Sequence, residues 1–444
     1  MKIIHCLIHY LPQHIAGTEV YTHTLAKLQK AKGHQVVIIT SHIEFYDSAA
    51  IKEHYVYDGI DVYQFMETAN PTNRDIYTGK KKPEGLNNFL ALLKMLKPDV
   101  INFHGFNRSI GITVEHLKLA KLAGAKVFVT MHLSFYTCNT NILITKNKLC
   151  EGKIKEFDCT ACTYNSMFNI PLFMASPLAR LSNLFTHTQI RALLPTGKLT
   201  TFISIPSTIN RIKNDLSELV ENSNQIISLT EWYKKILLLN NVPADKITVI
   251  PQALAVAKQP TLLKNKYTIN LPLKLVFLGR IENQKGVHLI IEAFKKFSVA
   301  EVIVDIYGKE EPTEYYKKWF EESIGFKNIF WKGLLHREEI LEKLADYDLL
   351  CVPSLSSEMS PLVIQEAFAA GIPVLASKGY GNMEQIRHGE NGLLFNFNSA
   401  DSLAEQLKLI INNPELINQM KSKIMPPADF ESVCNSYLNL YQSV

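Results

Sequence analysis

The sequence predicts an α/β protein made of two doubly wound domains. Short apolar runs, such as residues 3–8 and 273–278, alternate with segments of helical periodicity in both halves of the chain. Strands that are separated by single helices form parallel sheets covered on both faces. The chain has 444 residues, which is more than one core accommodates. Because the alternation occurs twice, we expect two such domains.

The first half is predicted to contain four strands, at residues 3–8, 36–40, 100–103 and 126–130. Thr18 is placed to cap the helix after the first strand, and Gly33 is placed to end that helix in a left-handed conformation. Leucine and phenylalanine in residues 86–93 follow the i, i+3, i+4, i+7 spacing of a helix buried on one face, and Pro98 stops this helix.

The second half repeats the pattern, with strands predicted at residues 273–278, 302–307, 349–352 and 374–376. Helices are expected at 287–297 and 361–370, and Gly371 ends the second one. The polar, weakly periodic residues 253–272 are the expected linker. The predicted domains are residues 1–252 with an insertion at about 133–215, residues 253–425, and a terminal helical segment at 426–444.

Composition and charge exclude several classes of protein. Hydrophobic residues make up 47% and charged residues 20% of the chain, which excludes intrinsic disorder. The net charge is only +5, which argues against a dedicated nucleic-acid binder. No apolar run approaches the ~20 residues that span a bilayer, and the first residues are typical of a strand rather than an export signal. We therefore expect a cytoplasmic protein whose cysteines are reduced.

Residues 159–214 contain no aspartate or glutamate. They include five basic residues, which are Arg180, Arg191, Lys198, Arg211 and Lys213. A basic, apolar segment is typical of peripheral contact with an anionic membrane surface, here the inner face of the membrane. The alternative is an inserted subdomain with a solvated basic face, and the sequence leaves both open.

Two loops that follow predicted strands carry side chains suited to a phosphorylated ligand. Ligands of doubly wound folds bind at the carboxyl ends of the strands. In the loop after 273–278, Arg280 offers a planar fork and Lys285 a point charge, beside the helix that starts near Gly286. Together they are suited to hold a diphosphate without a divalent metal. The alternative is an exposed loop with two solvated cations.

The loop after residues 349–352 leads into a helix through Glu358, Ser360, Pro361, Leu362, Val363 and Glu366. Pro361 suits the first turn of a helix, and the backbone amides of Leu362 and Val363 are suited to bind phosphate oxygens. Glu358 and Glu366 can hold hydroxyls at two points of one ligand. The alternative makes Glu358 a first-turn acid favoured by the helix dipole and puts Glu366 on a solvated face. Since residues 367–370 are apolar, Glu366 would then need a partner.

These motifs resemble glycosyltransferase family 4. The resemblance rests on Gly279-Arg280 with Lys285-Gly286, on Glu358 and Glu366 separated by seven residues, on Ala370-Gly371-Ile372-Pro373-Val374, on Asn391-Gly392-Leu393-Leu394-Phe395, on Gly17-Thr18-Glu19 and on Gly33-His34-Gln35-Val36. It spans nearly the whole chain. It implies the GT-B fold, in which two Rossmann-like domains face a cleft, the acceptor side being N-terminal and the donor side C-terminal. It also implies a retaining, metal-independent enzyme, which requires no cofactor for catalysis.

The resemblance also implies roles for individual residues. Arg280 and Lys285 bind the donor diphosphate, Glu366 holds the ribose, and Glu358 holds the transferred sugar. His132 contacts the sugar, and Gly17 lets the first loop approach the diphosphate closely. Thr18 and His104 complete the expected substrate-binding set, with a structural role as the alternative for His104. No protein nucleophile is expected, because the acceptor hydroxyl attacks from the leaving-group face and a donor phosphate oxygen takes its proton. The segment at 429–442 resembles the family's terminal helix, which crosses back onto the first domain.

The chain departs from the family pattern at three glycine positions. Ala16-Gly17 stands where members often have two glycines, and Gly379-Tyr380-Gly381 precedes Glu384 where they often have a pair. Gly308-Lys309 lacks a frequent second glycine, which leaves UDP or GDP as the donor nucleotide open.

Four of the seven cysteines lie close together in the sequence, at Cys138, Cys150, Cys159 and Cys162. Four thiolates suit a closed, structural zinc site, which we predict here, and no catalytic zinc is expected. Reduced thiols in an irregular loop, or a redox pair, are the alternatives.

The leading hypothesis is a hexosyltransferase that uses a UDP- or GDP-linked sugar. Its acceptor would be a saccharide, a lipid-linked saccharide or another hydroxyl compound in polysaccharide or glycolipid assembly. The alternative is a catalytically silent nucleotide-sugar binding subunit. A nicotinamide oxidoreductase is disfavoured, because no G-x-G-x-x-G follows the first strand.

Overall fold

The computed structural model describes residues 1–44, 51–68, 82–106, 111–145, 148–183, 197–254 and 270–444. Contacts divide the chain into two units. The first unit comprises Met1–Leu143, Glu151–Pro251 and Phe430–Val444, and the second comprises Ile144–Cys150 and Gln252–Asp429. Most of the predicted linker and Arg191 of the basic segment lie outside the described residues. None of the described helices is long and apolar enough to cross a membrane.

The first unit contains an eight-stranded sheet in the order β10-β9-β6-β5-β1-β2-β4-β3. Its strands are β1 (Lys2–Leu7), β2 (Gln35–Glu44), β3 (Ile51–Tyr57), β4 (Ile60–Thr68), β5 (Val100–Phe103), β6 (Lys126–Met131), β9 (Gln225–Ser228) and β10 (Ile247–Val249). All pairs are parallel except β3 with β4, at the edge. The strand order reverses between β1 and β5, so the loops after these two strands flank the crevice where doubly wound folds bind ligands.

The antiparallel β3–β4 hairpin was not predicted from the sequence. Its two-residue turn is Asp58-Gly59, and both residues have positive φ, at 48° and 76°. These angles define a primed hairpin turn, which Asp-Gly favours.

The helices of the first unit are α1 (Gly17–Ala31), α2 (Leu86–Leu96), α3 (Val114–Leu122), α4 (Glu156–Phe168), α5 (Leu172–Asn183), α6 (Lys198–Asn222), α7 (Glu231–Leu239) and α15 (Phe430–Ser443). The prediction that Thr18 caps α1 is wrong, since Ala16 is the N-cap and Thr18 lies in the first turn. Gly33 follows the helix with φ +86°, as predicted.

Helices α4, α5 and α6 form most of the insertion and have a hydrophobic core of their own. The buried ring of Tyr164 stacks on Phe202 with centroids 3.9 Å apart. Its hydroxyl donates to Ser182 Oγ at 2.7 Å. The described part of the acid-free segment is therefore helical and packed, not an irregular loop.

Helix α15 packs against the first unit's sheet. Tyr437 and Tyr441 are fully buried, and the ring of Tyr441 lies 4.7 Å from that of Phe128 on β6. Asn102 on β5 donates to Tyr441 Oη at 2.9 Å, and Tyr437 Oη lies 3.2 Å from Thr130 Oγ1. The C-terminal helix thus supports the strands β5 and β6 near their carboxyl ends.

The second unit contains a six-stranded parallel sheet in the order β13-β12-β11-β14-β15-β16. Its strands are β11 (Leu273–Leu278), β12 (Val302–Tyr307), β13 (Ile329–Gly333), β14 (Leu349–Val352), β15 (Val374–Ser377) and β16 (Gly392–Phe395). Its helices are α8 (Val287–Phe294), α9 (Glu314–Ser323), α10 (Ile340–Leu344), α11 (Leu362–Ala369), α12 (Tyr380–Gln385), α13 (Ala400–Asn412) and α14 (Glu415–Ser422). The strand order reverses between β11 and β14, which are the strands before the two predicted binding loops.

The second unit also includes a small hairpin, β7 (Ile144–Thr145) paired with β8 (Lys148–Leu149). The sequence assigned these residues to the N-terminal insertion, so the boundary is corrected here. The hydroxyl of Tyr380 on α12 donates to the carbonyl of Cys150, just after the hairpin, at 3.0 Å.

Candidate active site

The two loops at the switch point of the second unit are fixed against each other. Gly286 has φ +74°, and a Cβ there would lie 2.0 Å from the carbonyl oxygen of Pro353. The amide of Leu355 donates to the carbonyl of Gln284 at 2.7 Å. A glycine is therefore required at 286, because both the backbone angle and the close approach exclude a side chain.

The structure brings together Lys285 and Glu358, as the sequence predicted for a single ligand site. Lys285 Nζ lies 2.8 Å from Glu358 Oε2. Ser354 Oγ donates to the other carboxylate oxygen at 2.7 Å. Both charged side chains keep about a quarter of their surface exposed, at 22% and 26%. The pair is therefore held in place and still accessible to a ligand.

Gly381 lies in the segment Gly379-Tyr380-Gly381, where the sequence departs from the glycine pair of the family it resembles. A Cβ at Gly381 would lie 2.2 Å from the carbonyl oxygen of Glu358. The neighbouring Asn382 donates to the carbonyl of Ser377 at 2.9 Å and fixes the start of α12. The glycine that permits close approach to Glu358 is thus Gly381, and the position before it accommodates Tyr380.

Pro361 occupies the N-cap of α11, not its first turn as predicted, because its ψ of 116° is extended. Helix α11 begins at Leu362, so the backbone amides of Leu362 and Val363 lie at its N-terminus, without intrahelical partners. Ser360 Oγ accepts a hydrogen bond from Gln365 Nε2 at 3.3 Å. This end of α11 is a suitable place for phosphate oxygens.

Glu366 lies further along α11 and is partly buried. Burial raises the pKa of its carboxyl group, and the charge of Arg337 opposes that rise. No hydrogen bond or ion pair to the Glu366 side chain occurs in the part of the chain that the structure describes. A desolvated carboxylate of this kind is suited to accept hydrogen bonds from ligand hydroxyls.

Arg280 is not brought to the Lys285–Glu358 pair. Its side chain is 76% exposed, and its ion pair is with Glu282, at 3.1 Å. An exposed ion pair of this kind contributes at most about 1 kcal/mol, so the guanidinium can reorient at little cost.

A cavity of about 130 Å³ lies at the switch point of the first unit. It is lined by Leu7, Ile8, His9, Thr18, Glu19, His104, Gly105, Phe106, His132, Leu133, Phe135 and Tyr136. Three predicted site residues, Thr18, His104 and His132, therefore line one cavity. Gly17 is exposed at the start of α1.

Glu19 is a cavity residue to which the sequence assigned no role. One carboxylate oxygen lies 3.1 Å from His14 Nδ1. The other, Oε2, is buried without a hydrogen-bond partner among the described residues. The signal was present in Gly17-Thr18-Glu19, but the motif alone does not show that the carboxylate is buried.

His104 and His132 belong to a row of imidazoles that begins at His5 on β1, in which His5 and His104 are buried and His132 is partly exposed. His5 Nδ1 lies 2.8 Å from His104 Nε2, and His104 Nδ1 lies 3.0 Å from His132 Nε2. Burial lowers the pKa of His5 to about 4, with a smaller opposing effect from its hydrogen bond to Gln29, and lowers the pKa of His132 to about 3. Burial and the neighbouring imidazoles hold the pKa of His104 well below its usual range. The three rings are therefore neutral at neutral pH.

The predicted zinc site is not assembled. No group of three or more histidine, cysteine or acidic residues within the described ranges is placed to hold a metal ion. Cys159 and Cys162 lie on α4, where Cys159 Sγ accepts from the amide of Lys155 at 3.4 Å. Cys150 follows the β7–β8 hairpin and belongs to the second unit, while Cys138 contacts Thr140. All seven cysteines, each in a described range, are outside disulfides.

Two doubly wound units, each with polar side chains at its switch point, are the architecture of the GT-B glycosyltransferases, whose solved structures share this fold. Residues 262–424 match the family described as glycosyl transferases group 1, and residues 16–180 match the glycosyl transferase 4-like domain. Together the two matches show that the chain belongs to the group 1/family 4 glycosyltransferases, and the resemblance seen in its motifs is confirmed.

Relatives and solved structures agree with this assignment. A lipopolysaccharide 1,2-N-acetylglucosaminetransferase of Salmonella typhimurium is 26% identical over 50% of this chain and 62% of its own. An uncharacterised glycosyltransferase of Haemophilus influenzae is 26% identical over 46% of this chain and 56% of its own. The chain thus spans little more than half the length of these relatives. Anabaena HepE, solved with UDP and glucose, shares the fold with a TM-score of 0.59 at 14% identity, and the match covers 100% of both chains.

Proposed function

We propose that this protein transfers a hexose-type sugar from a nucleoside diphosphate sugar to an acceptor hydroxyl, with retention of configuration. The observation that carries the proposal is the accessible Lys285–Glu358 pair at the switch point of the second unit. Three solved structures of Anabaena HepE, which shares the fold, contain UDP or UDP-glucose, which supports a nucleotide-sugar donor. Relatives named for lipopolysaccharide and poly(ribitol-phosphate) glycosylation support a role in bacterial polysaccharide or glycolipid assembly.

In the proposed complex, the donor diphosphate replaces Glu358 as the partner of Lys285. Arg280 leaves Glu282 and adds a second cation, and the amides of Leu362 and Val363 bind phosphate oxygens. Glu366 accepts hydrogen bonds from the ribose hydroxyls. These cations and amides supply the positive charge that the departing diphosphate needs, so we propose that transfer requires no metal.

The exchange of partners releases Glu358 to bind the sugar. Its carboxylate then accepts hydrogen bonds from ring hydroxyls, while Ser354 keeps its orientation. The bond between the sugar C1 and the phosphate oxygen breaks, and the acceptor oxygen forms the new bond on the same face. The acceptor proton passes to a phosphate oxygen of the leaving group, which leaves no proton unassigned.

We also propose that the helices of the insertion contact an anionic membrane surface from the cytoplasm and so reach a lipid-linked saccharide acceptor. Phe173 on α5 is 79% exposed and Leu199 on α6 is 64% exposed, in a segment without acidic residues. Arg180 on α5 and Lys198 on α6 add positive charge to the same two helices. Flotation with phosphatidylglycerol vesicles should fall for the Phe173→Ser, Leu199→Ser double variant. Leu122→Ser, equally exposed on α3, is the control.

The activity is tested with a panel of UDP- and GDP-sugars in the presence of EDTA, by the release of UDP or GDP. We expect one donor to be hydrolysed slowly without acceptor and faster with a saccharide acceptor. Binding of a donor in calorimetry, with no release of nucleotide under any acceptor, would favour a silent nucleotide-sugar binding subunit. Complete loss of activity in EDTA, restored by a divalent metal, would contradict the metal-independent mechanism.

A further inference from the structure

Three histidines stand side by side on adjacent strands of the first unit. β1, β5 and β6 are neighbours in the sheet. His5 lies within β1, while His104 and His132 directly follow β5 and β6. The two N···N distances of 2.8 and 3.0 Å make one continuous hydrogen-bonded row. Its inner end is fully buried at His5, and its outer end lines the cavity at His132.

The row must have a direction. A neutral imidazole has one N–H donor and one nitrogen that accepts. In a row of three neutral rings, each ring donates to one side and accepts from the other. Fixing the proton on any one nitrogen therefore fixes the protons on all three rings.

Gln29 on α1 sets this direction at the inner end. Its Oε1 lies 2.7 Å from His5 Nε2, and a carbonyl oxygen can only accept, so His5 Nε2 carries the proton. The Gln29 side chain also faces the hydroxyl of Tyr441 on α15, although its Nε2 is buried without a hydrogen-bond partner among the described residues. Tyr441 is in turn held by Asn102 at 2.9 Å.

The protons then follow along the row. His5 Nδ1 accepts from His104 Nε2–H, and His104 Nδ1 accepts from His132 Nε2–H. His132 is left with an unprotonated Nδ1, which makes no hydrogen bond among the residues that the structure describes. Tyr21 packs edge-on against the His132 ring at 5.1 Å, and its hydroxyl donates to Tyr437 Oη at 3.1 Å, which fixes the ring plane.

We infer that Gln29 is a positioning residue that acts through His5 and His104 to hold His132 as the Nε2–H tautomer. His132 then offers Nδ1 as a hydrogen-bond acceptor to a hydroxyl group in the cavity. That this hydroxyl belongs to a sugar rests on the proposed function, whereas the tautomer itself does not. The cavity would accept a donor group at this point and disfavour a ligand that presents only acceptors there.

Nitrogen NMR of the full chain labelled with ¹⁵N-histidine tests the inference without any ligand. Protonated and unprotonated imidazole nitrogens have well-separated shifts, and His132→Gln assigns the His132 signals. We expect His5, His104 and His132 all to be Nε2–H. His116 is an internal control, because its Nδ1 accepts from the Thr113 amide at 3.1 Å, independently of the row. A proton on Nδ1 of His132 in the native protein would overturn the inference.

Gln29→Met removes the acceptor while keeping the side-chain length. We expect the His132 signals to move to a mixture of the two tautomers, with the His116 signals unchanged as evidence of folding. His5→Phe cuts the same row at a second place and should give the same mixture. A pure Nε2–H tautomer at His132 in both variants would show that Gln29 does not set it.

Sugar transfer gives a second readout. Gln29→Met should lower kcat/KM about tenfold, the equivalent of one hydrogen bond, with the affinity for bare UDP or GDP unchanged. If the chain shows no transferase activity at all, NMR still tests the His132 tautomer, because that measurement needs no ligand. Failure of the proposed function and failure of this inference are therefore distinguishable.

Discussion

The two switch points use the same place in the fold for opposite kinds of chemistry. In the second unit, Lys285 and Glu358 are charged, accessible and paired with each other. In the first unit, the neutral imidazoles of His5, His104 and His132 are hydrogen-bonded in a row, and only His132 is partly exposed. In the proposed complex the charged pair exchanges partners when the donor binds, whereas the neutral row presents its hydrogen-bonding pattern in advance. One topology thus supports both an accessible charged pair and a preformed neutral row.

Removing the charge of Glu358 should have the largest effect on the rearranging site. Glu358→Gln is expected to lower turnover by about 10²–10³-fold, since the carboxylate loses its contact with the sugar as the bond breaks. The affinity for bare UDP or GDP should stay the same or rise slightly, because Lys285 loses its competing partner. Initial rates and calorimetry measure the two effects.

Glu322→Gln is the matched control, since Glu322 also pairs with a lysine, Lys295, at 3.4 Å on the surface of the same unit. Its rates should match those of the native chain. An equal and mild loss of turnover in both variants would show that Glu358 is not part of the donor site.

The backbone beneath the charged pair is tested by two glycines with the same dihedral angle. Gly286 and Gly371 both have φ +74°, but only at Gly286 would a Cβ meet another atom, the Pro353 carbonyl oxygen. Gly371→Ala should cost about 1 kcal/mol of unfolding free energy, from backbone strain alone. Gly286→Ala should cost about 3 kcal/mol or more and should also lower turnover. Urea unfolding that gave equal losses would mean the two loops are not in rigid contact.

Lowering the pH should destabilise the first unit more than the second. The folded-state pKa values of His5 and His132, about 4 and about 3, lie below the unfolded value of 6.5. The unfolded state therefore binds more protons below pH 6.5, and the first unit loses up to about 1.4 kcal/mol per pH unit per histidine down to pH 4. Glu366 has the opposite sign, because its raised pKa means that the second unit gains stability as the carboxyl group is protonated.

Limited proteolysis in urea at pH 7 and pH 5, with fragments identified by mass, measures this difference. Cleavage within the first unit should increase at pH 5 relative to cleavage within the second. His5→Phe should reduce the pH dependence of the first unit. If the second unit is cleaved first at pH 5, the burial of the histidine row is not what limits acid stability.

The smallest effect is expected from the two cations of the donor loop. Lys285→Ala should weaken UDP or GDP binding about tenfold, and Arg280→Ala by less, because the exposed guanidinium must leave Glu282 and reorient. Both losses should shrink in high salt, and Arg280→Ala the more so. Calorimetry at two salt concentrations measures the loss of nucleotide affinity in each variant. If both losses depend equally on salt, the two cations are equally exposed, which contradicts the prediction.

Much of the fold could be predicted from the sequence because buried parallel strands are continuous apolar runs. Strands at 273–278, 302–307 and 349–352 were predicted at their observed bounds. The β3–β4 hairpin was missed although its Asp-Gly turn is a local signal. The assignment of Ile144–Cys150 to the second unit could not be predicted, since it depends on contacts such as that of Tyr380, which is distant in sequence.

The residues of the candidate sites also divide into those that could be predicted from the sequence and those that could not. Lys285, Glu358 and Glu366 were predicted because charged residues after apolar strands are conspicuous. The role of His5 and Gln29 was not, because a histidine within a buried strand and a glutamine within a helix look like ordinary core positions. Their function appears only when strands about a hundred residues apart lie side by side.

Helix α15 has a consequence for the order in which this molecule is made. Tyr437 and Tyr441 support the strands of the first unit, yet they are translated only after every residue of the second unit. A nascent chain that stops before residue 430 has both sheets encoded but lacks the side chains that hold Gln29, Asn102 and Tyr21. During synthesis the cavity of the first unit therefore lacks the support of α15 until the last residues of the second unit have been added.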